Sequence, residues 1–153
     1  MLRKSIVLAL TLFAVPAVAQ TRQVRTVSAE GAQNALAATL AEAKKNNWLV
    51  SIAIVDPAGE LLAFARMDGA GISTIENALG KARTSARFRR PSQVYDSVAK
   101  SRPGIMSFEN MTAVEGGVPI TIDGVVIGAI GVSGAASTED AQMARAGAAA
   151  VKP

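Results

Sequence analysis

The chain has 153 residues, with 16 basic and 12 acidic side chains and a formal net charge of +4. It contains no cysteine, so it forms no disulfide. It also contains no histidine, which excludes an imidazole base, a Ser-His-Asp triad and a zinc site with the usual nitrogen or sulfur ligands. The length suits one domain with one core, and the small charge excess argues against nucleic-acid binding.

The first 19 residues have the pattern of a secretory signal peptide. Arg3 and Lys4 form a basic start, residues 5–15 are almost entirely apolar, and small residues lead to a predicted cleavage site after Ala19. An uncleaved anchor is the alternative, but the apolar stretch is short for a spanning helix. The sequence therefore predicts a periplasmic or secreted protein with no stable membrane anchor. Loss of Arg3 and Lys4 leaves 14 basic and 12 acidic residues, a net charge of +2.

The first half of the remaining chain is predicted to form a helix and a hairpin. Residues 20–27 are polar and predict a flexible leader, and residues 28–153 predict a single domain. Ser28 is a predicted N-cap for a helix that runs to about Asn46. Residues 48–55 and 60–67 are predicted strands, joined by a turn that contains proline and glycine.

The second half repeats this arrangement loosely. Ser73 and Glu76 predict a capping box at the start of a helix over 74–88, and residues 92–101 predict a short helix. Residues 102–115 are irregular and are a candidate functional loop. Residues 119–122 and 125–132 are predicted strands, and Asp123-Gly124 between them is a strong hairpin signal. A last helix follows, with Ser137 as its predicted N-cap and Asp140 completing a capping box.

The last predicted strand carries glycine at positions 128, 131 and 134. A strand surface without side chains predicts close approach by a packed helix, a partner subunit or a flat ligand. The order of helices and hairpins predicts an α+β domain, in which helices cover a mainly antiparallel sheet. Abundant alanine and glycine, with few aromatic residues, indicate a thin core and favour a homo-oligomer.

The segments resemble the GlcG/HbpS family (DUF336) over nearly all of residues 28–151. The elements that carry the resemblance are Asp56-Pro57 with Gly59, Arg66-Met67-Asp68, Lys81-Ala82 with Thr84, Gly116 to Ile120, Gly124 to Gly134, and Glu139-Asp140. The resemblance implies a profilin-like antiparallel sheet of about five strands between helices, assembly into oligomers, and haem or tetrapyrrole binding. This chain departs from haem-binding members because it has no histidine, so no axial ligand is carried over.

The predicted ligand-binding residues are Arg66, Asp68, Lys81, Thr84, Gly116, Gly117 and Pro119. Arg66 offers a fork of donors for a carboxylate, or it pins the loop through a local contact with Asp68. Lys81 and Thr84 match the family pattern. Lys81 begins a basic run with Arg83, Arg87, Arg89 and Arg90, which forms an anion site or merely a solvated face. The paired glycines expose backbone N–H groups to a ligand, or they turn the chain into an edge strand.

The side chains left to ligate iron are chiefly Tyr95, Met106 and Met111. Methionines more often fill gaps in a core. We therefore predict an exported protein that binds a small anionic ligand, with haem or a related tetrapyrrole as the first hypothesis. One alternative is an enzyme or accessory protein for a small hydroxy-, keto- or enol-acid, with acid–base groups from Lys81, Asp68 or Glu115. Another is a non-catalytic oligomeric sensor-partner subunit.

Overall fold

A computed structural model describes residues 20–21 and 23–153 of the chain, so the predicted signal peptide lies outside the described residues. The elements in chain order are α1 (Ala29–Lys45), β1 (Ser51–Val55), β2 (Leu61–Arg66), α2 (Thr74–Phe88), α3 (Gln93–Ser101), a 3-10 turn (Pro103–Ser107), β3 (Gly117–Ile122), β4 (Val125–Ser133) and α4 (Ser137–Ala150). Within the described part of the chain, no helix has the length and apolar character needed to cross a membrane.

The four strands form one antiparallel sheet in the order β2-β1-β4-β3. The α+β class is confirmed, with four strands in place of the five or so that the resemblance implied. The predicted turn between β3 and β4 is also confirmed. Both of its central residues, Asp123 and Gly124, have positive φ angles, 50° and 75°, as a tight two-residue hairpin turn requires.

Helices cover both faces of the sheet. Helices α1 and α4 pack on one face, where Ile52, Ile54, Ile130 and Val132 meet Met143. On the other face, α2 packs against the remaining side chains of β1 and β4 in a small alanine-rich cluster. Strand β1 is buried along its whole length, which explains its unbroken run of apolar and small residues.

The glycines of β4 are explained by close packing within the chain. A Cβ atom at Gly131 would overlap the Ala78 carbonyl oxygen and the Ala82 backbone nitrogen of α2. At Gly128, a Cβ atom would meet the side chain of Val27 and the Val55 carbonyl oxygen. Of the three alternatives for this strand, a packed helix is therefore the one observed at Gly131.

The starts of α1 and α2 fall at the predicted positions, and α3 begins one residue later than predicted. Two of the predicted caps are wrong. Ser28 caps α1, because its hydroxyl accepts from the Gly31 N–H at 3.1 Å. Ser73 precedes α2 with a helical backbone conformation, and its side chain makes no capping hydrogen bond. Helix α4 begins one residue earlier than predicted, with Ala136 as its N-cap. The Glu139 carboxylate accepts from the Ala136 N–H at 2.9 Å, so Asp140 is free to point inward.

Candidate functional site

Lys81 and Asp140 form a buried ion pair between α2 and the start of α4. Lys81 Nζ lies 2.8 Å from Asp140 Oδ2 and donates a second hydrogen bond to the Val132 carbonyl oxygen at 3.1 Å. The two side chains are only 5% and 2% exposed. Lys81 was predicted as a site residue from the family pattern. Its partner was missed, because Asp140 was assigned to the helix cap.

The environment of Asp140 is unusual for a carboxylate. Burial raises the pKa of Asp140 above its usual value of 3.8, because water no longer stabilises the charge. The hydrogen bond and charge of Lys81 act in the opposite direction, as does the Ala135 N–H, which donates to Oδ1 at 3.1 Å. A carboxylate held in this way tolerates burial only while its partners stay in place.

The paired glycines are needed to cover this ion pair. Gly116 has a φ of 128°, and a Cβ atom there would lie 2.8 Å from Lys81 Nζ. A Cβ atom at Gly117 would overlap the Lys81 carbonyl oxygen. The Gly117 N–H is not available to an anion, because it donates to the Ser92 hydroxyl at 2.8 Å. Gly117 is therefore explained by its packing in the edge strand and not by ligand binding. Gly116 leaves room for the ammonium group of Lys81.

A polar cavity of about 200 Å³ lies against the ion pair. Its walls come from α2, the end of β4, the start of α4 and the loop before β3. The polar side chains that line it are Asn77, Lys81, Thr112, Ser133, Ser137 and Asp140. Of these, only Lys81 had been predicted from the sequence. The others are isolated polar residues in four separate segments, so no local pattern marks them as neighbours.

The remaining predicted ligand residues lie elsewhere. Thr84 is fully buried, and its hydroxyl accepts from the Thr112 N–H at 2.8 Å, so it holds the loop before β3 in place. Arg66 and Asp68 are exposed at the end of β2, and no ion pair joins them among the described residues. Pro119 lies in the edge strand β3, where its missing N–H costs little.

Part of the basic run has a structural role. Arg83 Nε donates to the Gly59 carbonyl oxygen at 3.1 Å, and Arg87 Nε donates to the Ala58 carbonyl oxygen at 2.8 Å. Both arginines therefore fix the turn between β1 and β2 against α2. Neither the solvated face nor the anion site describes these two residues, because both donate to backbone carbonyl oxygens.

A second, apolar groove lies between α3 and the 3-10 turn. Its volume is about 380 Å³, and it is lined by Val98, Arg102, Gly104, Ile105 and Phe108. Helix α3 buries none of its residues, and Phe108 is 54% exposed. Behind the groove, the Phe88 ring packs between those of Tyr95 and Phe108, with centroid distances of 5.0 and 6.3 Å. The groove falls largely within the loop that the sequence indicated as functional.

None of the candidate iron ligands lines this groove. Met106 is half exposed on the 3-10 turn, Met111 is buried, and Tyr95 belongs to the aromatic cluster. Across the residues that the structure describes, no group of three carboxylate, histidine or cysteine side chains is placed to hold a metal ion. In the same residues, Asp140 is the one carboxylate within 4 Å of Lys81 Nζ, so neither Asp68 nor Glu115 pairs with it.

The fold described above is an α+β domain, and comparison with known families assigns the chain to one of them. Residues 27–149 match the family described as haem degrading protein HbpS-like, and the chain belongs to that family. The resemblance inferred from the sequence is thus confirmed.

Individual relatives agree with this assignment. Protein GlcG of Escherichia coli strain K12 is 42% identical over 108 residues, which cover 70% of this chain and 81% of GlcG. A double mutant of HbpS from Streptomyces reticuli superposes with a TM-score of 0.83 at 32% identity, covering 92% of this chain and 99% of HbpS. A PduOC–haem complex, at 23% identity, has the same fold, with a TM-score of 0.77 over 83% of this chain and 96% of PduOC.

Proposed function

We propose that this protein is exported and binds haem or a related tetrapyrrole in the apolar groove between α3 and the 3-10 turn. The observation that carries the proposal is the exposed apolar groove in a member of the HbpS-like family. The family description refers to haem, and the PduOC structure, which shares the fold, contains haem.

The chemistry of the groove suits a flat, anionic macrocycle. Val98 and Ile105 supply apolar walls, and the exposed ring of Phe108 offers a surface for stacking. Arg102 lines the same groove and offers a charged fork to a propionate group. A groove that combines a largely apolar lining with one cation favours a ligand with an apolar body and a carboxylate edge.

The residues present fit the macrocycle better than they fit its iron. The chain has no histidine, and no side chain that lines the groove is an iron ligand of the usual kind. Met106 follows Ile105 in the chain and is the nearest candidate in sequence. A bound haem would supply a redox-active iron, whereas the groove residues themselves bind and orient the ring. Affinity should therefore depend little on the metal.

The test is a titration of haemin and of metal-free protoporphyrin IX into protein purified from cells that express the full chain. We expect saturable binding of both, with affinities within about tenfold of each other, which corresponds to 1.4 kcal/mol. Phe108→Ala should weaken both about tenfold, because it removes a stacking surface. Absorption and fluorescence changes report the binding.

Arginine variants locate the site. Arg102→Glu should weaken porphyrin binding by at least tenfold, since it replaces the partner of a propionate with a repelling charge. Arg66→Glu is the matched control, because Arg66 is also exposed but lies at the end of β2. Loss of binding in Arg66→Glu alone would move the site to that strand. Unchanged binding in both variants, or binding of haemin without protoporphyrin, would contradict the proposal.

Export and self-association are part of the same proposal. The basic and apolar start of the chain supports export. The exposed apolar side chains of Ile72 and Met106 support a homo-oligomer. Native mass spectrometry of the purified protein tests both properties together. We expect a subunit that begins at Gln20 and an assembly whose mass is a multiple of that subunit. An unprocessed chain would contradict export, and a monomer would contradict self-association.

A further inference from the structure

The polar cavity beside Lys81 contains hydrogen-bonding groups that the fold itself does not use. Ser133 is only 7% exposed, and its hydroxyl has no hydrogen-bond partner among the described residues. The side chains of Asn77, Thr112 and Ser137, which line the same cavity, also make no hydrogen bond to any described residue. Among the described residues, the one fully enclosed side-chain oxygen without a partner is Ser85 Oγ. The Ser133 hydroxyl therefore keeps some access to solvent through the cavity, and it is available to a ligand or to ordered water.

Lys81 has one donor left for such a ligand. An ammonium group carries three protons. Two of them are used, by Asp140 Oδ2 and by the Val132 carbonyl oxygen. The third has no acceptor among the described residues. Since Lys81 lines the cavity, its remaining proton is available for an oxygen of a ligand.

The start of α4 adds a second source of positive potential. Ala135, Ser137 and Asp140 from this region line the cavity. The first N–H groups of a helix have no partner within the helix, and they carry a partial positive charge. Asp140 neutralises the charge of Lys81, so the positive potential that favours an anionic group comes from the N–H groups at the start of α4. The cavity volume of about 200 Å³ suits a group of a few heavy atoms.

We propose that this cavity is a binding site for a small hydroxylated carboxylate, separate from the tetrapyrrole groove. Lys81 and the first turn of α4 hold the carboxylate, and the hydroxyls of Ser133 and Ser137 with the Asn77 amide hold the ligand's own hydroxyl group. The proposal is one of binding, and it does not depend on whether the groove of α3 binds a porphyrin.

Lactate is the probe, and lactamide is its neutral isostere. We expect saturation-transfer NMR on the purified protein to show saturable binding of lactate in the millimolar range, with no competing effect of lactamide. Ser133→Ala should weaken lactate binding about threefold to tenfold, the usual value of one hydrogen bond. This hydroxyl makes no bond within the described fold, so the variant should fold normally. Ser101→Ala, on α3, is the control and should leave the affinity unchanged.

Two results would overturn the proposal. One is the absence of saturable lactate binding at millimolar concentrations, and the other is equal binding of lactamide. Asn77→Ala provides an independent check, because Asn77 is exposed and its replacement should not disturb the core. Full retention of lactate affinity in both Ser133→Ala and Asn77→Ala would show that the ligand binds outside this cavity.

Discussion

Lys81→Met is expected to lower the free energy of unfolding by about 3–5 kcal/mol near neutral pH. Methionine preserves most of the volume of lysine, so the loss comes mainly from leaving the Asp140 carboxylate buried without its partner. Urea denaturation of the two proteins measures the difference. Arg25→Ala is the control, because the Arg25–Asp123 pair is largely exposed and should contribute less than about 1 kcal/mol.

The pH dependence of the difference in unfolding free energy shows whether the loss in Lys81→Met comes from an unpaired charge or from poorer packing. In Lys81→Met, the two effects of Lys81 that lower the pKa of Asp140 are removed, and the raising effect of burial remains. The folded-state pKa then lies above the unfolded value of about 3.8. The contribution of Asp140 to the stability of the variant is therefore greatest below that value, and it is lost as the pH rises through the folded-state pKa. If the loss of unfolding free energy in Lys81→Met were the same at low and at neutral pH, the role assigned to the ion pair would be contradicted.

Gly131→Ala is expected to destabilise the domain by about 3 kcal/mol or more. The added Cβ atom would overlap backbone atoms of α2, at the Ala78 carbonyl and the Ala82 nitrogen. Backbone atoms cannot rotate away as side chains can, so the helix would have to move off the sheet. Thermal or urea denaturation measures the loss.

Gly104→Ala is the matched control for this glycine. A Cβ atom at Gly104 meets nothing within 4 Å, and its φ angle is not in the left-handed region. The change should therefore alter stability by no more than about 0.5 kcal/mol. If Gly131→Ala were as mild as the control, the close packing of α2 on β4 would not explain the glycine-rich strand.

The elements of the fold were largely predictable because their signals are local. Asp123-Gly124 specifies a hairpin turn, and the bounds of α2 follow from helical periodicity between a serine and an arginine-rich end. The segment patterns also predicted four strands, and the fifth came only from the family resemblance. The two caps were wrong because several small polar residues stand near each helix start. In the structure none of them caps by its side chain, since Ala136 is the N-cap of α4 and Ser73 makes no capping hydrogen bond.

The site was less predictable because its contacts join distant segments. Lys81 and Asp140 are 59 residues apart, and no spacing rule connects them. Asp140 also fits a capping role, so the local interpretation hid its long-range partner. In the same way, Phe88, Tyr95 and Phe108 come together only when α2, α3 and the 3-10 turn are packed. The sequence indicated the irregular loop as a candidate functional segment, but it did not predict the groove that the loop forms.

The most direct test of the proposed function is hydrogen–deuterium exchange of the purified protein with and without protoporphyrin IX. We predict slower exchange in peptides that cover residues 93–108, where the groove of α3 and the 3-10 turn lies. Peptides that contain Ser133 and Asp140 should exchange at the same rate in both states. Protection confined to the cavity beside Lys81, or no protection at all, would contradict tetrapyrrole binding in the groove.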